Sequence, residues 1–411
     1  MNEVIPITPF KSKNKLEMIF KLITILCLFL YMEYGETQGI PIAQDNDTSI
    51  SMNEGVNNRM SNPVTAAVTG VRLLLTADPT LGPKFLRLGF QDCIGGCDGC
   101  VDLTNPDNKG LDVPINALAN IVANHDGITP LTRADIWTIA AITGANWANP
   151  ENQFFVEFKY FDRTNCENRG TPCLGQYGQD VGCSATRGPH RDIPSANLDT
   201  EDLLDFFSNE FGFTDQQAIA IMGAHTIGVA SQSNSGYKGP IGWTPNNDVL
   251  DNSYYRHITS ATGNIDDALN WRQKRISNNN GFPDRYQWER ETNVGPDYMM
   301  LNADIASVRD FGNEWNSVTG EVFCDFKNSD ACSTAETISQ VTIYRRNNQI
   351  WLNDFKAALQ KMLVNGYTNV GCSGPTCLSQ VVGYNPLGNC RTEGRSKPLQ
   401  TLIQKWITRA L

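Results

Sequence analysis

The sequence predicts a mainly α-helical fold with few or no β-strands. In most segments the apolar residues recur at the three- and four-residue spacing of a helix that buries one face. Helix-start signals accompany this spacing: Asn62-Pro63 precedes one apolar run, and Thr214 with Gln217 forms a capping-box pattern before another. The apolar–polar alternation that is typical of strands is scarce, and the sequence shows no internal repeat.

Nine segments carry the helical pattern. The fourth of them is apolar almost throughout, which predicts a helix that is buried on all sides. The intervening segments 94–112 and 150–198 are rich in turn-forming residues and cysteine, and we expect them to be irregular. The predicted helices span 64–77, 81–93, 113–124, 132–147, 199–211, 214–225, 251–262, 298–311 and 346–365.

The composition is that of an acidic globular protein. The 411 residues are 40% apolar and 19% charged, and the formal net charge is −11. A chain of this length can bury a sizeable core. Because phosphate contacts need clustered Lys and Arg, an acidic chain without a basic stripe is a poor candidate for binding nucleic acid or anionic membranes.

The N-terminal residues 1–39 have the features of a secretory signal peptide. Lys11, Lys13 and Lys15 precede a short apolar run over 18–32, and small and polar residues follow it. The alternative is a membrane anchor, but the run is short for a bilayer span. We therefore expect a secreted, extracellular protein that has no membrane span once the signal is removed.

Three further parts follow the signal. Residues 40–61 are polar and predicted to be a loose segment, in which Asn46-Asp47-Thr48 is an N-glycosylation acceptor. The main domain is expected over 62–370, and a cysteine-rich tail over 371–411.

The cysteines indicate an oxidising compartment. Beyond Cys27 in the signal there are eleven, clustered in loop-like neighbourhoods as in a disulfide framework. Their odd number leaves one thiol unpaired or paired with another chain. A zinc site is the rival interpretation, prompted by Cys97-x-x-Cys100, but no second pair of Cys or His stands at zinc-site spacing.

The first chemical motif is LRLGFQDCIGGCDGC. Arg87 and Gln91 are four residues apart, so a helix projects both side chains from one face, with Phe90 adjacent. The motif resembles the plant-type haem peroxidase superfamily, in which Arg-Leu-x-Phe-His-Asp-Cys precedes Gly-Cys-Asp. The resemblance implies that Arg87 is the distal arginine and Phe90 the distal aromatic residue, and it places Gln91 where the catalytic distal histidine is expected. Asn108 resembles the asparagine that orients this histidine.

The same resemblance implies a distal calcium site. Asp92, Gly96 and Asp98 match its ligands, through two carboxylates and backbone oxygen, the hard donors that Ca²⁺ prefers. Cys100 departs from the pattern, because the family usually has a serine hydroxyl at that position.

A second motif, MGAHTIG, places His225 among small residues at the end of the sixth predicted helix. Alone, such a histidine is more often a satisfied core residue than a ligand. However, LNADIA resembles the family segment that supplies a buried aspartate, here Asp304, to the outer N–H of the iron-bound histidine. The stretch GPIGWTPNNDVLDNSYY is similar to ascorbate and cytochrome c peroxidases. It implies that Trp243 lies beside His225, the proximal ligand of haem b.

The resemblance also implies a proximal cation, either K⁺ or Ca²⁺. The plain alternative is that the matching residues are ordinary loop residues, and that Asp251 caps the helix that follows it. The implied ligands are Thr226, Thr244, Asn246, the carbonyl oxygen of Val249, and Asp251.

The resemblance runs from about 63 to 366 and describes a hybrid. The distal loop and its cysteines are similar to the secreted fungal and plant branches, and the proximal side is similar to the ascorbate and cytochrome c peroxidase branch. The implied fold holds haem between distal and proximal helices. Counting from His225, Asn234 stands at the position of the ascorbate-contacting arginine, which argues against ascorbate as a dedicated reductant.

Two functions of different classes stay open. One is an extracellular peroxidase that uses H₂O₂ for the one-electron oxidation of small reducing substrates. Gln91 would slow it, because a carboxamide does not exchange a proton near neutral pH and general acid–base help is worth about 10²–10⁴-fold. The other is a catalytically weak or inactive extracellular protein of the same fold that binds haem or has a structural role. The sequence predicts no oligomeric state.

Overall fold

A computed structural model describes a large part of the chain. Residues 1–39, 40–61 and 371–411, with the predicted signal, glycosylation acceptor and tail, lie outside the described residues. The described residues are 63–149, 156, 158, 163–166, 191–238, 241–259, 271–277, 281–290, 298–324 and 332–367.

The predicted mainly α-helical class is confirmed. Short 3-10 turns over Pro106–Asn108 and Gly223–Thr226 supplement the α-helices. None of the described helices is both long enough and apolar enough to cross a bilayer. In chain order the α-helices of the described residues are α1 (Pro63–Ala77), α2 (Leu81–Cys93), α3 (Asp112–His125), α4 (Arg133–Trp147), α5 (Thr200–Phe211), α6 (Asp215–Met222), α7 (Gln232–Ser235), α8 (Ser253–Ile258), α9 (Asn302–Ile305), α10 (Ile338–Arg346) and α11 (Asn348–Met362).

The described strands are short and form three small antiparallel sheets. β1 pairs with β2, β3 with β4 and β4 with β5, and β6 with β7. The strands are β1 (Val229–Ala230), β2 (Ile241–Gly242), β3 (Trp271–Ile276), β4 (Arg285–Arg290), β5 (Met299–Met300), β6 (Arg309–Asp310) and β7 (Ser333–Thr334).

The hairpin of β3 and β4 is difficult to predict from the sequence. Only Trp271 of β3 is buried, and the buried side chains of β4 include the polar residues Gln287 and Glu289. Gln287 accepts a hydrogen bond from the backbone N–H of Lys238 at 2.8 Å, and Glu289 pairs with Lys274 at 2.7 Å. Because polar residues of β4 are buried together with the tryptophans, the hairpin lacks the apolar–polar alternation by which strands are predicted.

The predicted helix over 298–311 is wrong. The segment contains β5, the single turn α9 and β6. Asn302 fixes this arrangement, because its Oδ1 accepts from Trp288 Nε1 at 2.8 Å and its Nδ2 donates to the carbonyl oxygen of Gly320 at 2.8 Å. The helix predicted over 251–262 is shorter, as α8, and the one over 214–225 ends at Met222.

Helix α4 is the centre of one half of the core. A capping box between Thr132 and Asp135 starts it, and every residue from Ala134 to Asn146 is buried. Helices α1, α2 and α3 all pack against it. The crossing with α2 is close, since a Cβ added at Gly144 would lie 2.7 Å from the carbonyl oxygen of Gly82.

Three disulfides join cysteines of the described residues: Cys93–Cys97, Cys100–Cys166 and Cys324–Cys332. The alternative interpretation of Cys97 and Cys100 as zinc ligands is therefore wrong, because each sulfur is bonded to a different cysteine. The cysteines at 173, 183, 372, 377 and 390 lie outside the described residues.

The α2–α4 crossing gives a test of the fold. Gly144→Ala should lower the free energy of unfolding by about 1–3 kcal/mol, because the new methyl group meets backbone that cannot rotate away. Gly82→Ala is the matched control: its added Cβ would lie at an ordinary 3.7 Å, so the variant should be neutral or slightly more stable. Urea unfolding measures both, and equal stabilities of the two variants would contradict the close crossing.

Candidate functional site

His225 lies on the 3-10 turn that follows α6. A capping box between Thr214 and Gln217 starts α6, and the helix ends at Met222. The turn fits there because residue 223 is glycine: an added Cβ would lie 2.5 Å from Trp351 Nε1 and 2.6 Å from the hydroxyl of Tyr255. The chain thereby presents the His225 side chain at the end of the helix, with about a third of its surface exposed.

A fully buried carboxylate, Asp304, lies behind His225. Its Oδ1 accepts from His225 Nδ1 at 2.7 Å and from the Tyr254 hydroxyl at 2.9 Å. Its Oδ2 accepts from Trp243 Nε1 at 2.9 Å and from the backbone N–H of Leu301 at 2.7 Å. Because the carboxylate accepts from Nδ1, that nitrogen carries the proton of the neutral imidazole, and in this tautomer the lone pair is on Nε2. No residue that the structure describes forms a hydrogen bond with Nε2.

Two aromatic side chains flank His225. Trp243 stacks on the imidazole, with ring centroids 4.4 Å apart and planes at 21°. Tyr254 meets it edge-on at 6.2 Å. Burial and the negative charge of Asp304 raise the pKa of Tyr254 well above its usual value, so its hydroxyl stays a donor. Sequence reasoning did not single out Tyr254, whose only signal is its place in the stretch after Trp243.

Arg87 and Gln91 project from α2, as predicted. The Arg87 guanidinium donates to the carbonyl oxygens of Asp107 at 2.8 Å and Lys109 at 3.1 Å. Burial lowers its pKa, and the charge of Asp107 opposes this shift. These two bonds hold the cation against the loop that carries Asn108.

Gln91 and Asn108 are both buried. Asn108 Nδ2 donates to the carbonyl oxygen of Asp102 at 2.9 Å, which directs its Oδ1 elsewhere. Neither Asn108 Oδ1 nor Gln91 Oε1 has a hydrogen-bond partner among the described residues. A buried acceptor without a partner costs stability and calls for an explanation, of which a functional role is one.

Phe90 belongs to an aromatic cluster. Its ring lies 6.5 Å from Phe207 and 6.1 Å from Phe211, both on α5. The predicted distal aromatic residue therefore also joins α2 to α5.

Two glycines bring the distal and proximal segments together. Gly228, three residues after His225, has φ +87°, and an added Cβ would lie 2.9 Å from Pro83 in α2. Gly110, close to Asn108, has φ +88° and packs directly against the side chain of Asn234. The segment after His225 thus lies against the helix that carries Arg87 and Gln91.

The residues predicted to bind the distal calcium lie against a buried guanidinium group. Arg191 Nη2 lies 2.5 Å from Asp98 Oδ1, and Nη1 donates to the carbonyl oxygen of Asp92. Burial and then the charge of Asp98 raise the pKa of Asp92 to about 7, while Arg191 opposes the shift. The predicted ligands thus face a guanidinium, and Gly96 adds no charge.

Only some of the residues predicted to bind the proximal cation contact one another. Thr244 Oγ1 donates to the carbonyl oxygen of Thr226 at 2.8 Å, and Thr226 Oγ1 donates to Asp251 Oδ1 at 3.3 Å. Asp251 Oδ1 also accepts from the backbone N–H of Ser253, the first residue of α8, at 2.8 Å, and Asp251 Oδ2 pairs with Arg256 at 3.1 Å. Asn246 is exposed and Val249 half-buried. Within the described ranges, no cluster of three His, Cys, Asp or Glu side chains is arranged to hold a metal ion.

The hydrogen bond from Tyr254 to Asp304 can be tested by its removal. Tyr254→Phe should lower the free energy of unfolding by about 1.5–3 kcal/mol, the value of a hydrogen bond to a charged group. Tyr255→Phe is the matched control, because this equally buried hydroxyl donates to the neutral carbonyl oxygen of Ile219 and should cost about 0.5–1.5 kcal/mol. Equal losses in urea unfolding would contradict a charged acceptor at Asp304.

Known proteins resemble this chain over most of the described core. A family model described as Peroxidase matches residues 67–312, more than half of the chain. A Candida albicans protein, named a heme-binding peroxidase, is 24% identical over 302 residues, which cover 70% of this chain and 82% of that protein.

Two further relatives have other names. The mitochondrial cytochrome c peroxidase of Yarrowia lipolytica is 27% identical over 303 residues, or 70% of this chain and 69% of that protein. The cytosolic L-ascorbate peroxidase 1 of Oryza sativa subsp. indica is 24% identical over 199 residues, or 46% and 69%. The family match over more than half of the chain, with relatives among both cytochrome c and ascorbate peroxidases, shows that this protein belongs to the plant-type haem peroxidase superfamily.

Proposed function

We propose that this protein is a secreted haem peroxidase, in which His225 Nε2 binds the iron of haem b and H₂O₂ drives the one-electron oxidation of small reducing substrates. The observation that carries the proposal is the orientation of His225. Its Nδ1–H is committed to Asp304 at 2.7 Å, which leaves the Nε2 lone pair for a metal. When bound, haem supplies the redox-active iron that the reaction needs.

Asp304 would act on the iron through His225. A carboxylate that accepts the outer N–H of a metal-bound imidazole fixes the ring orientation and makes the imidazole a stronger donor. Trp243 shares the same carboxylate and stacks on the ring, so the imidazole is held on two sides.

Arg87 would stabilise negative charge that develops on the departing oxygen of peroxide. Its guanidinium is anchored by the carbonyl oxygens of Asp107 and Lys109. A preorganised cation in a partly buried site acts on such charge more strongly than the same cation in water.

Gln91 can hydrogen-bond to peroxide but cannot carry its proton. The proton must pass from the inner to the outer oxygen, and a positioned acid–base group typically accelerates such a transfer by about 10²–10⁴-fold. The proposed enzyme therefore keeps the electrostatic part of peroxide activation and lacks most of the acid–base part, which makes turnover slow.

The second candidate function is a catalytically weak or inactive extracellular protein that binds haem or has a structural role. Gln91 favours it, because a carboxamide that hydrogen-bonds without transferring a proton suits a ligand-binding site better than a peroxidase. Reactivity of the haem-loaded protein towards H₂O₂ distinguishes the two functions.

Secretion is part of the proposal. Its support is the signal-like segment 1–39 and the three disulfides between described cysteines, since disulfides persist in oxidising compartments. In that setting Asn46 would be open to N-glycosylation.

A proximal cation, K⁺ or Ca²⁺, is also proposed, held by oxygens of Thr226, Thr244 and Asp251 close to the His225 turn. If K⁺ binds, replacing choline chloride by KCl should raise the melting temperature of the wild type but not of Asp251→Ala. Asp284→Ala, which removes an exposed carboxylate paired with Arg275, should respond to K⁺ like the wild type. If Asp251→Ala melts equally low in both salts and the melting temperature of the wild type does not respond to K⁺, Asp251 only stabilises the start of α8 through Ser253 and Arg256.

Gln91→His tests the proposed limit on activity. The buried Asn108 Oδ1 has no described partner and can accept a histidine ring N–H, which leaves the other ring nitrogen as the base. The rate constant for the haem-loaded protein with H₂O₂, measured by stopped flow, should rise by at least about tenfold and up to 10⁴-fold. The gain should vanish at low pH, as the imidazole is protonated near its usual pKa of about 6.5.

Two controls accompany this variant. Gln91→Leu should gain nothing, and adding Asn108→Ala to Gln91→His should remove part of the gain. If the wild type already reacts as fast as Gln91→His, another group acts as the base, and Gln91 does not limit the activity. A haem-loaded Gln91→His variant that stays unreactive would make the binding or structural function the better account.

A further inference from the structure

The end of the distal helix holds two buried carboxylates and one buried cation from a distant part of the chain. Asp92 and Asp98 are each at most 2% exposed. The Arg191 side chain, only 9% exposed, lies 2.5 Å from Asp98 Oδ1 and donates to the carbonyl oxygen of Asp92. A Cβ added at Gly95 would lie 3.4 Å from Arg191 Cδ, so the stem of the side chain packs over the same loop.

From this arrangement we propose that the Arg191 guanidinium does the structural work of a cation at the distal site, and that this side of the protein needs no Ca²⁺. Two buried carboxylates in one loop repel each other unless a positive charge lies close. A guanidinium supplies that charge and several N–H donors in a rigid plane, so it can engage a carboxylate and a carbonyl group together.

Most of the oxygen donors that calcium would need are otherwise engaged, and the exception is Asp92 Oδ2, which is buried without a partner among the described residues. Ca²⁺ takes six to eight oxygen ligands. Asp98 Oδ1 and the Asp92 carbonyl oxygen face Arg191, and Asp92 Oδ1 accepts from the backbone N–H of Cys100 at 3.0 Å. The side chain of Cys100 offers no oxygen, because its sulfur is bonded to Cys166. A divalent cation would also be repelled by the buried guanidinium.

Arg191 connects the loop that follows α2 with the segment that precedes α5. The loop that it holds follows α2, which carries Arg87 and Gln91. Arg191 itself precedes α5, whose Phe207 and Phe211 pack on Phe90. The position of the helix end thus depends on a cation that belongs to the chain and that a chelator cannot remove. This proposal does not depend on haem or on peroxidase activity.

Thermal unfolding of the disulfide-intact protein in EDTA tests the structural role. Arg191→Ala should lower the melting temperature by about 5–15 °C, because it leaves two buried carboxylates without their cation. Arg191→Lys, which keeps the charge but loses the planar donors, should fall between. Arg275→Ala is the control: its pair with Asp284 is exposed, so the melting temperature should stay close to that of the wild type.

Equilibrium dialysis with ⁴⁵Ca²⁺ tests the absence of calcium in the wild type and in Asp251→Ala, which lacks a proposed proximal ligand. The proposal predicts one of two results: the wild type binds no calcium, or it binds calcium that the Asp251→Ala variant does not bind. One calcium per chain that persists in Asp251→Ala would overturn the proposal, as would an Arg191→Ala variant that melts with the wild type. If Arg191→Ala does not fold, Arg191→Lys and the dialysis still decide.

Discussion

The proximal side of this protein depends on one buried carboxylate. Asp304 is wholly inaccessible to solvent, and burying a charge costs several kcal/mol unless hydrogen bonds satisfy it. Four donors do so, from the His225 turn, the Trp243 loop, helix α8 and the backbone N–H of Leu301. Since each donor comes from a different part of the chain, Asp304 fixes their relative positions and, through His225 Nδ1, the direction of the imidazole.

On the distal side, by contrast, some buried acceptors lack hydrogen bonds from the described residues. Gln91 Oε1 and Asn108 Oδ1 are buried acceptors without described partners, whereas the nearby Arg87 has two carbonyl acceptors. Unsatisfied buried groups cost stability, and a functional role is one explanation for keeping them. The site therefore combines an anchored cation for charge stabilisation with a carboxamide where a proton carrier would stand. This combination is the basis of the proposed slow peroxidase activity.

Local sequence patterns predicted most of the helices. The apolar spacing of α1, α2, α4 and α6 and the capping-box pattern before α6 are local signals, and the structure follows them within a few residues. The turn at α9 was predicted as a longer helix, because the bonds that define it reach to Trp288 and Gly320. The β3–β4 hairpin was missed because it buries polar residues that find partners elsewhere in the chain.

The charged contacts of the site were the least predictable. Arg191 stands 93 residues from its partner Asp98, in a segment without a helical or strand pattern, so no local feature assigns it to the distal loop. Tyr254 lies in a stretch whose interest was Trp243, and only the folded chain brings its hydroxyl to Asp304. Motifs in the sequence thus define the candidate site, whereas its long-range charged contacts follow only from the folded chain.

The central claim is that His225 binds haem, and a titration of the disulfide-intact protein with ferric haem, followed in the visible spectrum, tests it most directly. The account predicts one haem per chain for the wild type and for His257→Ala, which removes another partly buried histidine. His225→Ala should bind haem at least about tenfold more weakly, as loss of more than 1.4 kcal/mol from a metal–ligand bond implies. A His225→Ala variant with wild-type affinity and an unchanged Soret band would contradict it.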